Sequence, residues 1–380
     1  MQVEPTTEAR LRMAEVYLVP SADGALTLRA QRRSAVLKGR LVTEIFPLLI
    51  PLLDGTRTRT EIARELSSTV AEPALFGAMD RLAEYGMIEE VDTHFDAWPD
   101  SLRDRIPTQL RLWSQYGADS ASLSRITTST VAVVGDGPLV PAAVLSLAAS
   151  GLGSVLMIGR RQINEADVAQ NALLRSEDVG SLYGDAARRL IAESGLMTNV
   201  AEAEMPDTVL RWKSTLREVD AALVVTDLPV VFSSWLGDIN LAMLDLGRPW
   251  TVATLLQRAT AHVGPSVIPQ QTPCWKCFEL RFKSNLDSVD RYQEFEVFVQ
   301  DRVEYANAGG LPSITSYVAG VATMEAIRLL MSDTVSVRTA GRLLTIDLWD
   351  YAMELHTVLK LPRCAHCSPT SLVPQERIWS

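Results

Sequence analysis

The chain has 380 residues, 47% apolar and 22% charged, with a formal net charge of −10 at pH 7. That length supports two or three domains around a sizeable core, and the charge argues against a generally basic nucleic-acid-binding surface. Met1–Arg10 is polar and acidic and lacks a signal pattern. The most apolar window, Val140–Ile158, is broken by Ser146, Ser150, Gly151, Gly153 and Ser154, so it reads as core and not as a membrane span. A cytoplasmic protein with no membrane and no nucleic-acid partner is expected.

Residues 1–95 read as a small α+β domain. Val16–Val19 and Ala25–Arg29 are short strands joined by Asp23-Gly24, a favoured hairpin turn, and Ala35–Lys38 is a third. Three helices follow. Leu41–Leu53 is apolar nearly all round and is kinked or shortened by Pro47 and Pro51. Thr60–Leu66 has Thr58 as its cap, and Pro73–Tyr85 carries Leu75, Met79 and Leu82 at helical spacing before Gly86. Met87–Val91 closes the unit as a strand. This is the element order of a winged helix-turn-helix.

Residues 96–125 read as a linker: a few helical turns and then the polar Gly117–Ser124. From residue 126 to 380 the pattern is α/β. The β-branched run Thr130–Val134 leads into Gly135-Asp-Gly137, a helix at Leu139–Ala149 and a strand at Ser154–Ile158, the opening βαβ of a dinucleotide-type, mostly parallel fold. Ala221–Val225, ending in Thr226-Asp227, is another buried strand, and Pro249–Leu255 and Leu343–Leu348 are further candidates. Between Phe282 and Gly310 lies a polar stretch without clear periodicity, read as a crossover loop before a long helix at Pro312–Met331.

The four cysteines form two Cys-x-x-Cys pairs, Cys274/Cys277 and Cys364/Cys367. Two thiolates three positions apart on a turn can face one ion, and two such knuckles complete a tetrahedral sulfur shell around a structural zinc. Such a shell leaves no open position for water or substrate. The 86 residues between the pairs imply a staple between distant segments, with His366 as a bystander.

These features together resemble the ubiquitin-activating-enzyme-like, or ThiF-type, superfamily over about residues 126–370. The resemblance rests on the Gly135–Gly137 turn, Thr226-Asp227, Pro273-Cys-x-x-Cys277, the helix "SYVAGVATMEAIRLL", the strand "GRLLTIDL" and Pro362-Arg-Cys-x-x-Cys367. It implies a nucleotide site in which Gly135 and Gly137 let backbone amides approach phosphate and Asp227 helps bind magnesium. Other positions depart from the family. Gly159-Arg-Arg stands where a ribose-binding aspartate is expected, and Asp167-Val-Ala-Gln170-Asn171 stands in place of Asn-x-x-Arg-Gln. The lysine segment reads Ser181–Arg189, and Val140 replaces the third glycine. A triphosphate needs several fixed cations, so ATP and magnesium are not expected as working cofactors, and no catalytic residue is assigned. With all four cysteines on zinc, thioester relay is disfavoured.

A winged-helix unit ahead of a degenerate activating-enzyme fold resembles the ocin-ThiF-like leader-binding proteins of azoline and thiazole peptide biosynthesis. The resemblance implies a recognition element in which a leader peptide adds as a strand at Ala35, Val36, Leu37 and Lys38 and rests on Leu75, Met79, Leu82 and Tyr85. It further implies a YcaO-type cyclodehydratase as partner and leaves room for a homodimer. Arg29, Arg32, Arg33, Lys38 and Arg40 form a basic run able to seat an acidic peptide. The expected function is a scaffold that binds a precursor leader and delivers it to the partner. One alternative is an enzyme that adenylates a peptide C-terminus. Another is a winged-helix transcriptional regulator, disfavoured by 11 basic against 15 acidic side chains in residues 1–97.

Overall fold

The computed structural model describes residues 9–368 except 15, 30–33, 92–104, 106–107, 110–111, 114–115, 119, 160, 227–233, 257–258 and 301–309. The chain divides into two compact units, Met1–Trp98 and Pro99–Ser380.

In the first unit, β2 (Tyr17–Pro20), β3 (Leu26–Arg29) and β4 (Ser34–Leu37) form an antiparallel sheet in that order. The turn between β2 and β3 works as its composition predicts: Gly24 takes φ +75°, and the Asp23 carboxylate accepts the Ala25 N–H. A second sheet, β5-β1-β6, joins β1 (Arg10–Met13), β5 (Asp54–Thr58) and β6 (Ile88–Val91). The helical stretch from Leu41 to Leu52 is a π turn, an α turn (α1, Phe46–Leu49) and a 3₁₀ turn, with Pro47 and Pro51 each near the start of a new segment. Helix α2 (Arg59–Glu65) carries a full capping box from Thr58 and Glu61. Helix α3 (Glu72–Glu84) buries Leu75, Ala78, Met79 and Leu82 against Leu28, Phe46, Leu49 and Ile62 in one apolar cluster.

The second unit is built on an eight-stranded sheet in the order β14-β13-β12-β11-β10-β7-β8-β9. Strands β7 (Thr130–Val134), β8 (Ser154–Gly159), β9 (Asn199–Glu204), β10 (Ala221–Thr226) and β11 (Trp250–Leu255) pair in parallel. Strands β12 (Thr260–Val263), β13 (Arg342–Asp347) and β14 (Ala352–Thr357) continue it antiparallel. β10 and β11 are buried at every position, the pattern of strands covered on both faces. The order reverses at β7, which lies between β8 and β10, so the crevice where an α/β sheet binds ligands lies at the carboxyl ends of β7 and β10.

Helix α4 (Ser120–Thr128) occupies ground that reads as a polar linker; Ser122, Leu123 and Ile126 are buried, and Arg125 pairs with Asp333. Helix α5 (Leu139–Ala149) follows the glycine turn, and α6 (Glu165–Gln170), α7 (Tyr183–Glu193) and α8 (Val209–Thr215) complete the parallel half. Helices α9 (Ser234–Leu246) and α10 (Trp275–Lys283) come next, then α11 (Val289–Gln300). α11 lies within the stretch read as a loop. Its periodicity is masked because an inward position holds a carboxylate: Glu296 is buried and bonded to Lys283 at 2.9 Å. The long helix α12 (Pro312–Leu330) packs on α5, β10 and β11.

Candidate functional site

The cysteines come together from two distant segments. Cys274 is the N-cap residue of α10 and Cys277 lies in its first turn, while Cys364 and Cys367 sit on a turn after β14. All four sulfurs lie within 4.8 Å of one another. The Sγ separations are 3.9 Å for Cys274–Cys277, 3.7 Å for Cys274–Cys364 and 3.6 Å for Cys277–Cys367. A tetrahedron of thiolates at zinc-like bond lengths has sulfur edges of about 3.8 Å, so the cluster fits a tetrahedral dication. Burial pushes the Cys274 thiol well up and that of Cys367 to about 11. Burial raises Cys364 too, but N–H donors from His366 and Cys367 carry it to a net lowering. A bound dication would reverse the burial penalty by holding all four as thiolates.

The surroundings of the knuckles are apolar on one side and polar on the other. Trp250, Trp275, Phe278, Phe282 and Tyr292 form a chain of ring contacts with centroids 5.1–6.0 Å apart. On the polar side, the Leu361 N–H points at Cys277 Sγ at 3.4 Å. The buried Asn240 of α9 accepts the Trp275 N–H at 3.0 Å and lies 2.9 Å from His366 Nδ1. His366 therefore faces an amide. Asn240 carries no local sequence signal; only the fold brings it there.

At the switch point, Gly135 and Gly137 adopt φ of +132° and +110°. A Cβ on Gly135 would stand 1.9 Å from the Val225 carbonyl oxygen, so the turn lies directly against the end of β10. Val140, in place of the third glycine, is fully buried. Asp136, inside the turn, accepts the Arg161 backbone N–H at 3.3 Å, so its carboxylate ties the turn to the end of β8. The turn is braced by Asn171, whose amide donates to the Pro138 carbonyl at 2.6 Å. Asp227 and Arg160 lie outside the described residues; Thr226, at the end of β10, is buried.

Among the described residues, Arg161, Arg188 and Arg189 are engaged with carboxylates. Arg161 holds the fully buried Asp167 through two bonds of 2.5 and 2.8 Å. Arg188 bonds Asp185 and Glu202, both at 2.7 Å. Arg189 bonds Asp178 at 3.1 and 2.6 Å and reaches Glu193 at 3.2 Å.

In the first unit, the peptide-binding set divides by exposure. Val36 is 61% exposed and Tyr85 37%, whereas Leu75, Met79 and Leu82 are at most 2% exposed. Ala35 and Leu37 also face inward. The exposed members of the set are Val36, Lys38 and Tyr85, because the helical stripe is the core face of α3. β4 is an edge of its sheet, with β3 on one side. Of the basic run, Lys38 is paired with Asp23 and Arg40 with Glu44, while Arg32 and Arg33 lie outside the described residues.

A mostly parallel sheet with a glycine turn at its switch point and a cluster of four cysteines that could hold a metal defines an α/β fold of the Rossmann-like, ThiF type. The ThiF family model matches residues 108–368, and the chain belongs to that family. It is 23% identical over 274 residues to the sulfur carrier protein adenylyltransferase of Thermus thermophilus, covering 71% of this chain and 92% of that one. It is 24% identical over 198 residues to the NEDD8-activating enzyme E1 regulatory subunit of Caenorhabditis elegans, of which it spans 36%. Among solved structures, E. coli MccB with ATP superimposes with a TM-score of 0.66 at 15% identity, covering 94% of this chain and 99% of MccB. The same enzyme has been solved in complex with N-formylated MccA, again with a TM-score of 0.66 at 15% identity over 94% of this chain and 99% of that one. PaaA matches with a TM-score of 0.65 at 19% identity over 91% of this chain and 99% of PaaA. Among the described residues no helix is long and apolar enough to cross a membrane.

Proposed function

We propose that this protein binds the leader of a ribosomally made precursor peptide and delivers it to a separate modifying enzyme, a YcaO-type cyclodehydratase, without activating the peptide itself with ATP. The observation that carries this reading is the pairing with carboxylates of Arg161, Arg188 and Arg189, which lie in or near the segments where the family resemblance expects nucleotide-binding residues. Phosphoryl and adenylyl transfer depend on fixed cations aimed at the phosphates, and those arginines are already neutralised. The fold likeness to MccB, solved with MccA, supports a peptide-handling role. One structural zinc on Cys274, Cys277, Cys364 and Cys367 holds the domain together.

The first unit, taken as a winged-helix recognition element, supplies the peptide site. The outer edge of β4 offers backbone hydrogen bonds for an added strand, and Val36 on that strand and Tyr85 at the end of α3 are exposed apolar side chains. Substitution at Leu37 or Met79 would strike the core, so the informative variants are the exposed ones. In anisotropy titrations with a labelled precursor peptide, Val36→Asp and Tyr85→Ala are expected to weaken binding at least tenfold while leaving the melting temperature in place. Undiminished binding in both variants would remove the peptide site from this edge.

A second reading, adenylation of a peptide C-terminus, is favoured by the Gly135–Gly137 turn, which keeps its positive φ angles and its close approach to β10. Pyrophosphate exchange distinguishes the two.

A further inference from the structure

The two cysteine knuckles lie 90 residues apart in sequence, yet a tetrathiolate needs them in register to within a few tenths of an ångström. One buried side chain touches both. Asn240, on α9, has no exposed surface. Its Oδ1 accepts the N–H of Trp275, the residue after Cys274, at 3.0 Å. That N–H belongs to the first turn of α10, where the helix provides no carbonyl partner, and the helix has no side-chain cap of its own. Asn240 therefore caps α10 from another helix.

The other end of the same amide settles the state of His366. With Oδ1 taken by an N–H donor, it is Nδ2 that faces His366 Nδ1 at 2.9 Å. An amide nitrogen donates, so Nδ1 accepts and the ring proton sits on Nε2. A histidine in that state has Nδ1 engaged by Asn240 and its proton on Nε2, so it can ligate a metal through Nδ1 only by giving up the bond to Asn240.

We propose that Asn240 is the positioning residue of the metal centre: it locks the two knuckles in register and keeps His366 out of the coordination sphere, so that the site stays purely sulfur. The proposal rests on the tetrathiolate reading of the cysteines. It adds a third segment, α9, to a site otherwise made of α10 and the C-terminal turn.

The test uses the full-length zinc-loaded protein and a chromophoric chelator. Asn240→Leu preserves size and removes both hydrogen bonds. Zinc transfer from this variant is expected to be 10- to 100-fold faster than from the wild type, the range typical of losing an outer-shell partner. With cobalt in place of zinc, the wild type should show four-thiolate charge-transfer and d–d bands. In Asn240→Leu the bands should shift as His366 is released, and adding His366→Ala should restore the four-thiolate spectrum while transfer stays fast. A folded Asn240→Leu protein with wild-type transfer or unchanged cobalt bands overturns the proposal. Should that variant not fold, His366→Ala alone keeps the cap on Trp275 and loses half of the bridge; a transfer rate unchanged from wild type then overturns it. A wild-type cobalt spectrum that is not four-thiolate would instead strike the metal assignment on which the proposal rests.

Discussion

At the cysteine knuckles four thiols converge on one point, whereas around β8 and β9 of the same sheet Arg161, Arg188 and Arg189 have carboxylates bonded to them. The first arrangement can ionise fully only with an external cation, since four clustered thiols, three of them buried, cannot ionise together unaided. The second is complete already: Arg161, Arg189 and Arg188 are bonded to Asp167, Asp178 and Glu202. The contrast teaches that one sheet can gather side chains suited to an external cation in one place and cations that already have partners in another.

The largest effect should come from the metal side. Cys274→Ser or Cys364→Ser, or prolonged chelation, removes binding energy that couples directly to folding. The second unit is expected to lose on the order of 5 kcal/mol or more, read as a collapse of its thermal transition. If chelated protein melts like the untreated protein, the knuckles are not a structural metal site. Next come the paired arginines. Arg161→Ala leaves the fully buried Asp167 carboxylate with only its Asn164 N–H, at an expected cost of about 3–5 kcal/mol in urea unfolding. A loss below about 1 kcal/mol would mean that the pair is solvated and that Arg161 is available to a ligand.

A titration at neither region sharpens the comparison. Burial, with a smaller push from His356, lowers His262 on β12 from 6.5 to about 4. As the pH falls below 6.5, the unfolded chain takes up a proton at this position before the folded one does. The stability it contributes is therefore full above about 6.5 and lost by about 4, amounting to about 3 kcal/mol. His262→Gln should flatten that part of the stability–pH curve relative to wild type; a curve of the same slope would assign the acid lability to groups other than His262. The smallest effect is expected in the first unit, where Val36→Asp should shift stability by less than about 0.5 kcal/mol because the side chain is exposed.

Much of this was readable from residues alone. The cysteine spacing, the βαβ opening at Thr130–Ile158 and the Asp23-Gly24 hairpin depend on local chemistry and appear as expected. Strand β14 has no alternation to find, since all six of its residues are exposed, and β1 and β5 are short strands that pair only through the fold. Helix α11 was hidden by an inward carboxylate. The stripe Leu75, Met79, Leu82 shows why periodicity cannot tell a groove from a core: both need one apolar face. The partners of Arg161, Arg188 and Arg189 lie 3 to 14 positions away, at separations that follow no single repeat, and Asn240 meets its two knuckles 35 and 126 positions on. Those pairings are consequences of topology.

The most direct test is pyrophosphate exchange with the zinc-loaded protein, ATP, magnesium and the precursor peptide, alongside a binding titration of that peptide. The account predicts saturable peptide binding with no exchange above background, unchanged by Asp227→Ala. Peptide-dependent exchange that Asp227→Ala abolishes would contradict it and make the protein an adenylating enzyme.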